Sequence, residues 1–310
     1  MELIAGRFSE LIVEIDHELL VSLQQPVHRA SKGDLGMTPT TITQAARFRA
    51  LHRGTVLVLP NAWDAASAAL IEAAGAQAIA TTSAGVSWAN GAPDAHGLSR
   101  QQMVAAVARI VSAVTVPVTA DIEGGYGPGP DDVAATVRAV IEAGAVGVNL
   151  EDSPGPDGAP LLSPEDQARR IAAARAAAEA AGVDLFVNAR TDVYLFGVGA
   201  PGDRLADVEA RARVYADAGA DGLFVPGLLD LDAITRLAGG PLPLNVMAGP
   251  GAPQVGELAA AGVARVSVGS AIAQSAYGYA ARAASELLGG GTYTALANGL
   301  DYGALNAVFP

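Results

Sequence analysis

The sequence predicts an α/β protein built as one (β/α)8 barrel of the TIM type, and two patterns predict it. The first is a recurring phrase: EAAGAQAIA (72–80), IEAGAVGVNL (141–150), AAGVDLFVN (180–188), ADAGADGLFV (216–225) and AAGVARVSV (260–268). In each, an Ala-rich helix ends on a glycine able to take the left-handed C′ conformation, and a buried strand of Val, Ile, Leu or Phe follows. The second pattern is spacing. TVLVLP (55–60), VPVTADIE (116–123) and PLNVMAG (243–249) bring the strands to eight between residues 55 and 290. That is roughly 30 residues per strand–helix unit, the size of a barrel. A doubly wound open sheet competes, but it commonly uses fewer strands, and no GxGxxG follows the first one.

Helix starts agree with this alternation. Ser163-Pro164-Glu165-Asp166 supplies an N-cap, a proline at the first helical position and acids in the first turn. Pro130-Asp131-Asp132 opens a helix reaching Glu142, with its acids at the positive end of the dipole. TPTTITQAARFRALHRG, after Met37, predicts a helix ahead of strand one. Residues 1–36 break the rhythm: LIVEIDHELLVSL (11–23) suits a short amphipathic helix and HRASKGDLGM (28–37) a linker. They are assigned to an N-terminal extension, and residues 37–310 to the barrel with its C-terminal helices.

Composition narrows the function. The 310 residues are 51% hydrophobic and 16% charged, which excludes a largely disordered chain. The absence of cysteine excludes disulfides, thiolate metal sites, iron–sulfur clusters and a thiol nucleophile. A net charge of -13 argues against a phosphate-backbone footprint. No apolar run is long enough to span a bilayer, and the acidic start is unlike a signal peptide. A cytoplasmic protein with a small-molecule partner is expected, without nucleic acid or membrane.

In such a barrel the active site lies where strands end. The strand ends offer Asn61, Trp63 and Asp64; Thr81 to Gly85, then Asp94 and His96; Asp121 and Glu123 before GGYG; Asn149, Glu151 and Asp152; Asn188, Arg190 and Asp192; Pro226-Gly227; and Asn245. Asp121 and Glu123 stand two apart, so in a strand they face one centre, with Glu151 arriving from the next. Three carboxylates at one rim repel unless a cation neutralises them. Without cysteine, oxygen ligands favour Mg²⁺ or Mn²⁺. Alternatively these acids cap helices or pair with Arg138 and Arg190. Arg190 ends the apolar strand LFVNAR, so its guanidinium needs an anion, either Asp192 or a substrate carboxylate. Ser83-Ala84-Gly85 forms a small-residue turn whose hydroxyl and amides can hold an anion. His17, His28 and His52 are expected to face solvent. His96, near Asp94, is a candidate for proton transfer. AGPGAP (248–253) and VGSAIAQSA (268–276) read as helix-start turns rather than a phosphate site.

From about Met37 onward, LPNAWDAASA, ATTSAG, GAPD, DIEGGYG, GVNLEDS, NARTD and PLNVMAGPG occur in an order that resembles the isocitrate lyase/phosphoenolpyruvate mutase superfamily, specifically its short bacterial members. The resemblance implies a (β/α)8 barrel whose last helix swaps between subunits, in homodimers or homotetramers. It implies a Mg²⁺ site for a small α-keto or 2-hydroxy acid, with Asp121 as direct ligand, Glu123 as a water-mediated one, Glu151 as the acid after strand four and Asp94 reaching the metal through water. It places Ser83, Ala84 and Gly85 on the substrate carboxylate, Arg190 on the enolate oxygen, and Asn245 against substrate. Trp63 joins the substrate-binding set, and Asp94 and His96 the catalytic one.

The departures bear on the reaction. Isocitrate-type lyases carry a Lys-Lys-Cys-Gly-His loop after strand four; here EDSPGPDGAPLLSPEDQ (151–167) has no Lys, Cys or His. Strand six ends in Pro226-Gly227, where other branches carry Glu or His. Decarboxylation needs no thiol, because loss of CO2 itself leaves the enolate. The expected function is therefore oxaloacetate-type decarboxylation or C–C cleavage. The alternatives are a keto-acid-binding protein, a phosphonopyruvate-type C–P enzyme, and a C–C lyase using His96 or Asp152 as base.

Overall fold

The computed structural model describes residues 41–95, 97–154 and 161–309. The assigned extension, residues 1–36, lies outside these, as does His96.

The helix predicted ahead of strand one is present as α1, Thr41–Leu51. The first barrel strand is split into β1 (Leu57–Leu59) and β2 (Asn61–Ala62), followed by α2 (Ala65–Ala73), β3 (Ile79–Thr81), α3 (Ser83–Ala89) and α4 (Arg100–Ala113). Then come β4 (Val118–Asp121), α5 (Pro130–Glu142), β5 (Gly147–Glu151), α6 (Pro164–Ala180), β6 (Phe186–Arg190) and α7 (Arg204–Asp217). The barrel finishes with β7 (Gly222–Val225), α8 (Leu231–Ala238), β8 (Leu244–Met247), α9 (Val255–Ala260) and β9 (Arg265–Ser267), and α10 (Ala271–Gly290) and α11 (Tyr302–Ala307) end the chain.

Every strand pairing is parallel, in the order β1-β9-β8-β7-β6-β5-β4-β3-β2. β1 pairs with β9 and β2 with β3, so the two halves of the first strand occupy both sides of the closure. The sequence reading ends this strand at Pro60, whereas strand pairing resumes beyond it at Asn61–Ala62. Pro60 has no N–H to give the ladder, and the strand divides there. Asn61 bridges the seam with its side chain: Nδ2 donates to the Thr81 carbonyl at 3.0 Å, and Oδ1 accepts from the Val268 amide at 3.0 Å.

The recurring phrase behaves as read. Gly75, Gly144, Gly182, Gly219 and Gly262 all have positive φ, and each releases its helix into the next turn. Ser163 caps α6 through the Asp166 amide, and Pro130 opens α5 with Asp131 and Asp132 in its first turn. Outward-facing Val, Ala and Leu side chains such as Val148, Leu150, Val187 and Val246 pack beneath the helices. The inside of the barrel is polar: Asn188 Nδ2 donates to Asn149 Oδ1 at 2.9 Å and to Asn245 Oδ1 at 3.0 Å.

At the end away from the strand C-termini, Asp221 holds α1 and α6 to the sheet. It pairs with Arg49 at 2.8 Å, with Arg175, and with the Val187 amide at 2.8 Å. His52 lies here too, which corrects the expectation that it faces solvent. Its ring stacks on Phe186 at 4.0 Å, Nδ1 lies 2.9 Å from the Phe48 carbonyl, and Nε2 is buried without a partner among the described residues. Phe48, one turn earlier, is fully buried, and that carries His52 inward beside it.

α10 leaves much of its surface uncovered. Ala273 is its one buried residue, while Ile272, Tyr277, Leu287 and Leu288 are exposed. Among the described residues no helix is long and apolar enough to cross a membrane.

Burial, aided by the nearby charge of Arg265, pushes the His52 imidazole down from 6.5 to about 4. In the unfolded chain the ring takes a proton near 6.5, so stability declines as pH falls from 6.5 toward 4, by at most about 3 kcal/mol. His52→Phe should flatten the melting temperature across that window; an unchanged pH profile would show that this ring is not responsible.

Candidate active site

The strand C-termini gather the acids at one rim because all the strands run the same way. Asp121 ends β4, and its amide donates to Thr81 Oγ1 at 2.8 Å. Its Oδ2 accepts from the Ser83 amide at 3.1 Å, whereas Oδ1 is buried and has no hydrogen-bond partner among the described residues. Such an atom is costly unless another group satisfies it.

Glu123 reaches the rim by a route different from the expected strand alternation. The strand stops at Asp121, and Glu123 has φ +48, a left-handed conformation rare outside glycine. It is 2% exposed, and Tyr126 Oη donates to its Oε1 at 2.9 Å. Tyr126 also has a positive φ of 58. Three side chains hold this turn. Arg170 donates to the carbonyls of Gly124, Gly127 (3.2 Å) and Pro128 (2.8 Å); Arg100 donates to that of Tyr126 at 3.0 Å; Thr136 Oγ1 donates to that of Gly125 at 2.7 Å. Gly127 is required sterically, since a Cβ there would sit 2.2 Å from Asp132 Cγ.

Glu151 ends β5 and pairs through Oε2 with Arg190 Nη1 at 2.9 Å. Burial pushes the Glu151 carboxyl well above the usual range; Arg190 opposes this, while Asp192, Asp121 and Glu123 add to it. Arg190 ends β6 and is gripped from the other side by Asp192, with Nε to Oδ1 at 2.6 Å and Nη2 to Oδ2 at 3.1 Å. Of the two partners open to Arg190, the described structure thus provides Asp192, joined by Glu151. Burial disfavours the guanidinium's charge, but Glu151 and Asp192 outweigh it and its pKa is raised.

Behind this pair lies a fully buried carboxylate, Asp152. It accepts from Tyr215 Oη at 2.8 Å, Arg211 Nη1 at 3.0 Å and the Asp192 amide at 3.1 Å. Arg211 also donates to the Leu162 carbonyl at 3.0 Å, tying α7 to the far end of the loop after β5. These bonds account for Asp152 as a structural anchor, not a base open to substrate.

Ser83, Ala84 and Gly85 form the first turn of α3, with the Ser83 amide already on Asp121. Gly85 is a packing requirement: a Cβ there would lie 2.8 Å from Trp63 Cβ and from Thr82 Cγ2. Trp63 is partly buried against Tyr277, with ring centroids 6.2 Å apart. Asp94 is exposed, and its charge is felt by Tyr126, whose hydroxyl burial raises in pKa, with Glu123, Asp121 and Asp94 adding to it. Asn245 sits inside the barrel, its Nδ2 donating to the Val246 and Arg265 carbonyls and to Ser267 Oγ. Asp121, Glu123, Glu151 and Arg190 are therefore brought together, and Asn245 is already bonded below them.

Among the described residues no three His, Cys, Asp or Glu side chains converge as a ready-made metal cage. The donor set still suits Mg²⁺, which keeps several waters and uses one or two carboxylates. Asp121 Oδ1 offers one carboxylate oxygen unpartnered among the described residues, and Glu123 lies close enough to add to the charge penalty at Glu151. Hollows of the outer surface lie elsewhere, among them one of 490 Å³ beside Glu209 and Arg236 and one of 510 Å³ beside Arg49 and Asp221. In both, the arginines are already paired with acids.

The phosphoenolpyruvate phosphomutase family model matches residues 48–288. The chain belongs to this family, and so to the isocitrate lyase/phosphoenolpyruvate mutase superfamily. An uncharacterized protein of Mycobacterium tuberculosis is 39% identical over 241 residues, 77% of this chain and 87% of that protein. Among solved structures, oxaloacetate acetylhydrolase in complex with its product oxalate matches with TM-score 0.77 and 25% identity, over 86% of this chain and 94% of the other. Phosphonopyruvate hydrolase in complex with oxalate and Mg²⁺ matches with TM-score 0.74 and 25% identity, over the same shares. By their names, these two relatives act on small keto acids.

The sequence reading missed Arg170 and Arg265. Arg265 carries the same signal that singled out Arg190, a lone charge in an apolar strand. Arg170 does not: it lies on a helix, 42 to 46 residues from the carbonyls it holds.

Arg170→Met should leave the barrel folded but release the turn at residues 123–128. Amide exchange there should quicken about tenfold or more, with a melting temperature only a few degrees lower. Unchanged exchange in that segment would refute the clamp.

Proposed function

We propose that this chain is a Mg²⁺-dependent carbon–carbon lyase acting on a small α-keto or 2-hydroxy dicarboxylic acid through an enolate intermediate, with oxaloacetate the leading substrate. The observation that carries this reading is the unpartnered, buried Asp121 Oδ1 beside Glu123, Glu151 and Arg190 at the strand C-termini. The relatives acting on oxaloacetate and phosphonopyruvate support it.

On this reading Asp121 holds the divalent ion directly, and Glu123, Glu151 and Asp94 approach it through water; Mn²⁺ would fit the same oxygens. When bound, such an ion neutralises the carboxylates and lowers the cost of negative charge on the keto oxygen. The protein's own groups orient the substrate. The amides of Ala84 and Gly85 and the Ser83 hydroxyl face the carboxylate, with Trp63 behind them. Arg190, fixed between Glu151 and Asp192, presents positive charge to the developing enolate oxygen. Decarboxylation of oxaloacetate breaks the C3–C4 bond, its electron pair becomes the enolate of pyruvate, and a proton at C3 completes the product. His96 and Asp94 are the candidates to deliver that proton.

The absence of Lys, Cys and His from residues 151–167 favours this reaction over isocitrate-type cleavage. The relatives keep a second reading in view, hydrolytic C–C or C–P cleavage of a keto acid at the same rim. The missing proton-transfer residues also leave room for a binder with little turnover.

The decisive assay follows CO2 and pyruvate from oxaloacetate with Mg²⁺. Free metal decarboxylates oxaloacetate unaided, so Asp121→Ala is the control. Wild type should exceed it by 100-fold or more, on the order of the loss expected when a transition-state charge stabiliser is removed. Equal rates would sink the proposal; oxalate and acetate as products would instead favour hydrolysis. Mg²⁺-dependent thermal stabilisation by oxaloacetate without turnover would favour the binder.

The assembly is part of the proposal. A homodimer or homotetramer in which α10 packs on a partner would cover the apolar residues it leaves exposed. Leu288→Asp should then shift the light-scattering mass to a smaller species; an identical mass would count against α10 as the contact.

A further inference from the structure

The inside of the barrel holds a cation that the reading above does not use. Arg265 on β9 is 1% exposed. In the strand order β9 lies four places from β5, so the two stand on opposite sides of the barrel. Arg265 nevertheless donates through Nη2 to Asn149 Oδ1 on β5 at 3.3 Å. Its side chain therefore crosses the interior. Among the described residues, Nε and Nη1 are buried there without a partner.

A guanidinium stays protonated in proteins, and an isolated buried charge is expensive. Burial brings Arg265 down to about 9, with Asp121 opposing the fall, so it remains a cation at neutral pH. The geometry shows which anion is at hand. Asn149, the residue Arg265 contacts, is in direct register with Asp121 on β4. Asp121 carries the buried unpartnered Oδ1. The other acids of the rim have their own partners: Glu151 pairs with Arg190, Asp192 with Arg190, and Glu123 accepts from Tyr126.

We propose that Arg265 is the interior counter-charge of Asp121, a positioning residue that sets from below how strongly the rim attracts cations. Its role toward a divalent ion rests on the proposed function; its pairing with Asp121 does not. The lone guanidinium and the lone carboxylate oxygen offset each other across the barrel, while the Asn149–Asn188–Asn245 chain keeps the arginine extended. The carboxylate is thus partly neutralised from below, able to hold a cation without binding it so tightly that an anionic substrate is refused.

The test is a double-mutant cycle read in two ways. With chelator present, Asp121→Asn should raise the melting temperature by about 4 °C more in the Arg265→Met background than in the Arg265 background. An additive cycle overturns the proposal. Arg265→Lys keeps the charge and should retain the coupling; its loss there also overturns the proposal. If Arg265→Met does not fold, recovery of folded protein on adding Asp121→Asn is the coupling itself, and failure to recover counts against it. In the second reading, Mn²⁺ alone is titrated calorimetrically. Arg265→Met should bind it roughly tenfold more tightly, because a nearby like charge is gone. Coupling in the melts without Mn²⁺ binding by any variant would overturn the metal site and leave the Arg265 pairing standing. Equal Mn²⁺ affinity together with additive melts would do the reverse.

Discussion

Carboxylates crowded at one rim of a parallel barrel repel one another, and much of the rest of the structure serves to contain that repulsion. Parallel strands deliver Asp121, Glu151 and, just past its strand, Glu123 to the same end of the sheet, with Asp192 following β6. Arg190 answers two of them at once, Tyr126 donates to a third, and Asp121 keeps one oxygen without a partner.

Containment extends well behind the rim. Asp152, buried and paired with Arg211 and Tyr215, fixes the amide of Asp192, which in turn holds Arg190. On the neighbouring strand, Arg170 grips the turn in which Glu123 and Tyr126 take left-handed conformations. Strain in a non-glycine backbone persists only where the surroundings over-determine it. Helices α6 and α7 therefore do more than cover the sheet: each sends an arginine inward to fix a part of the site.

The sequence discloses these features unevenly, and the reason is physical. Helix ends, strand count and the rim acids are local: a glycine at C′, an N-cap serine or a charge closing an apolar strand is visible within a few residues. Asp121, Glu151 and Arg190 are legible for that reason. Glu123 is legible by position, but strand alternation is the wrong ground for it, since the chain has turned left-handed by then. His52 misleads because a polar ring one turn from a buried phenylalanine can stack inward as easily as outward. Pro60 ends the strand as read from the sequence, but the chain resumes pairing at Asn61–Ala62 with a different neighbour, which no local pattern shows. Arg170 and Arg265 act across gaps of 42 residues or more, and no window along the chain brings them beside their partners.

The split at Pro60 has a mechanical meaning. A continuous strand keeps both neighbours along its length; here β1 pairs with β9 and β2 with β3, and the cut between the two ladders is crossed by the Ala80 amide on the Pro60 carbonyl and by the side chain of Asn61. The segments flanking the cut are those carrying Trp63, the turn at Ser83, and the entry to α10 at Val268. The closure of the barrel thus rests on side-chain as well as backbone bonds at the point where the chain enters these segments.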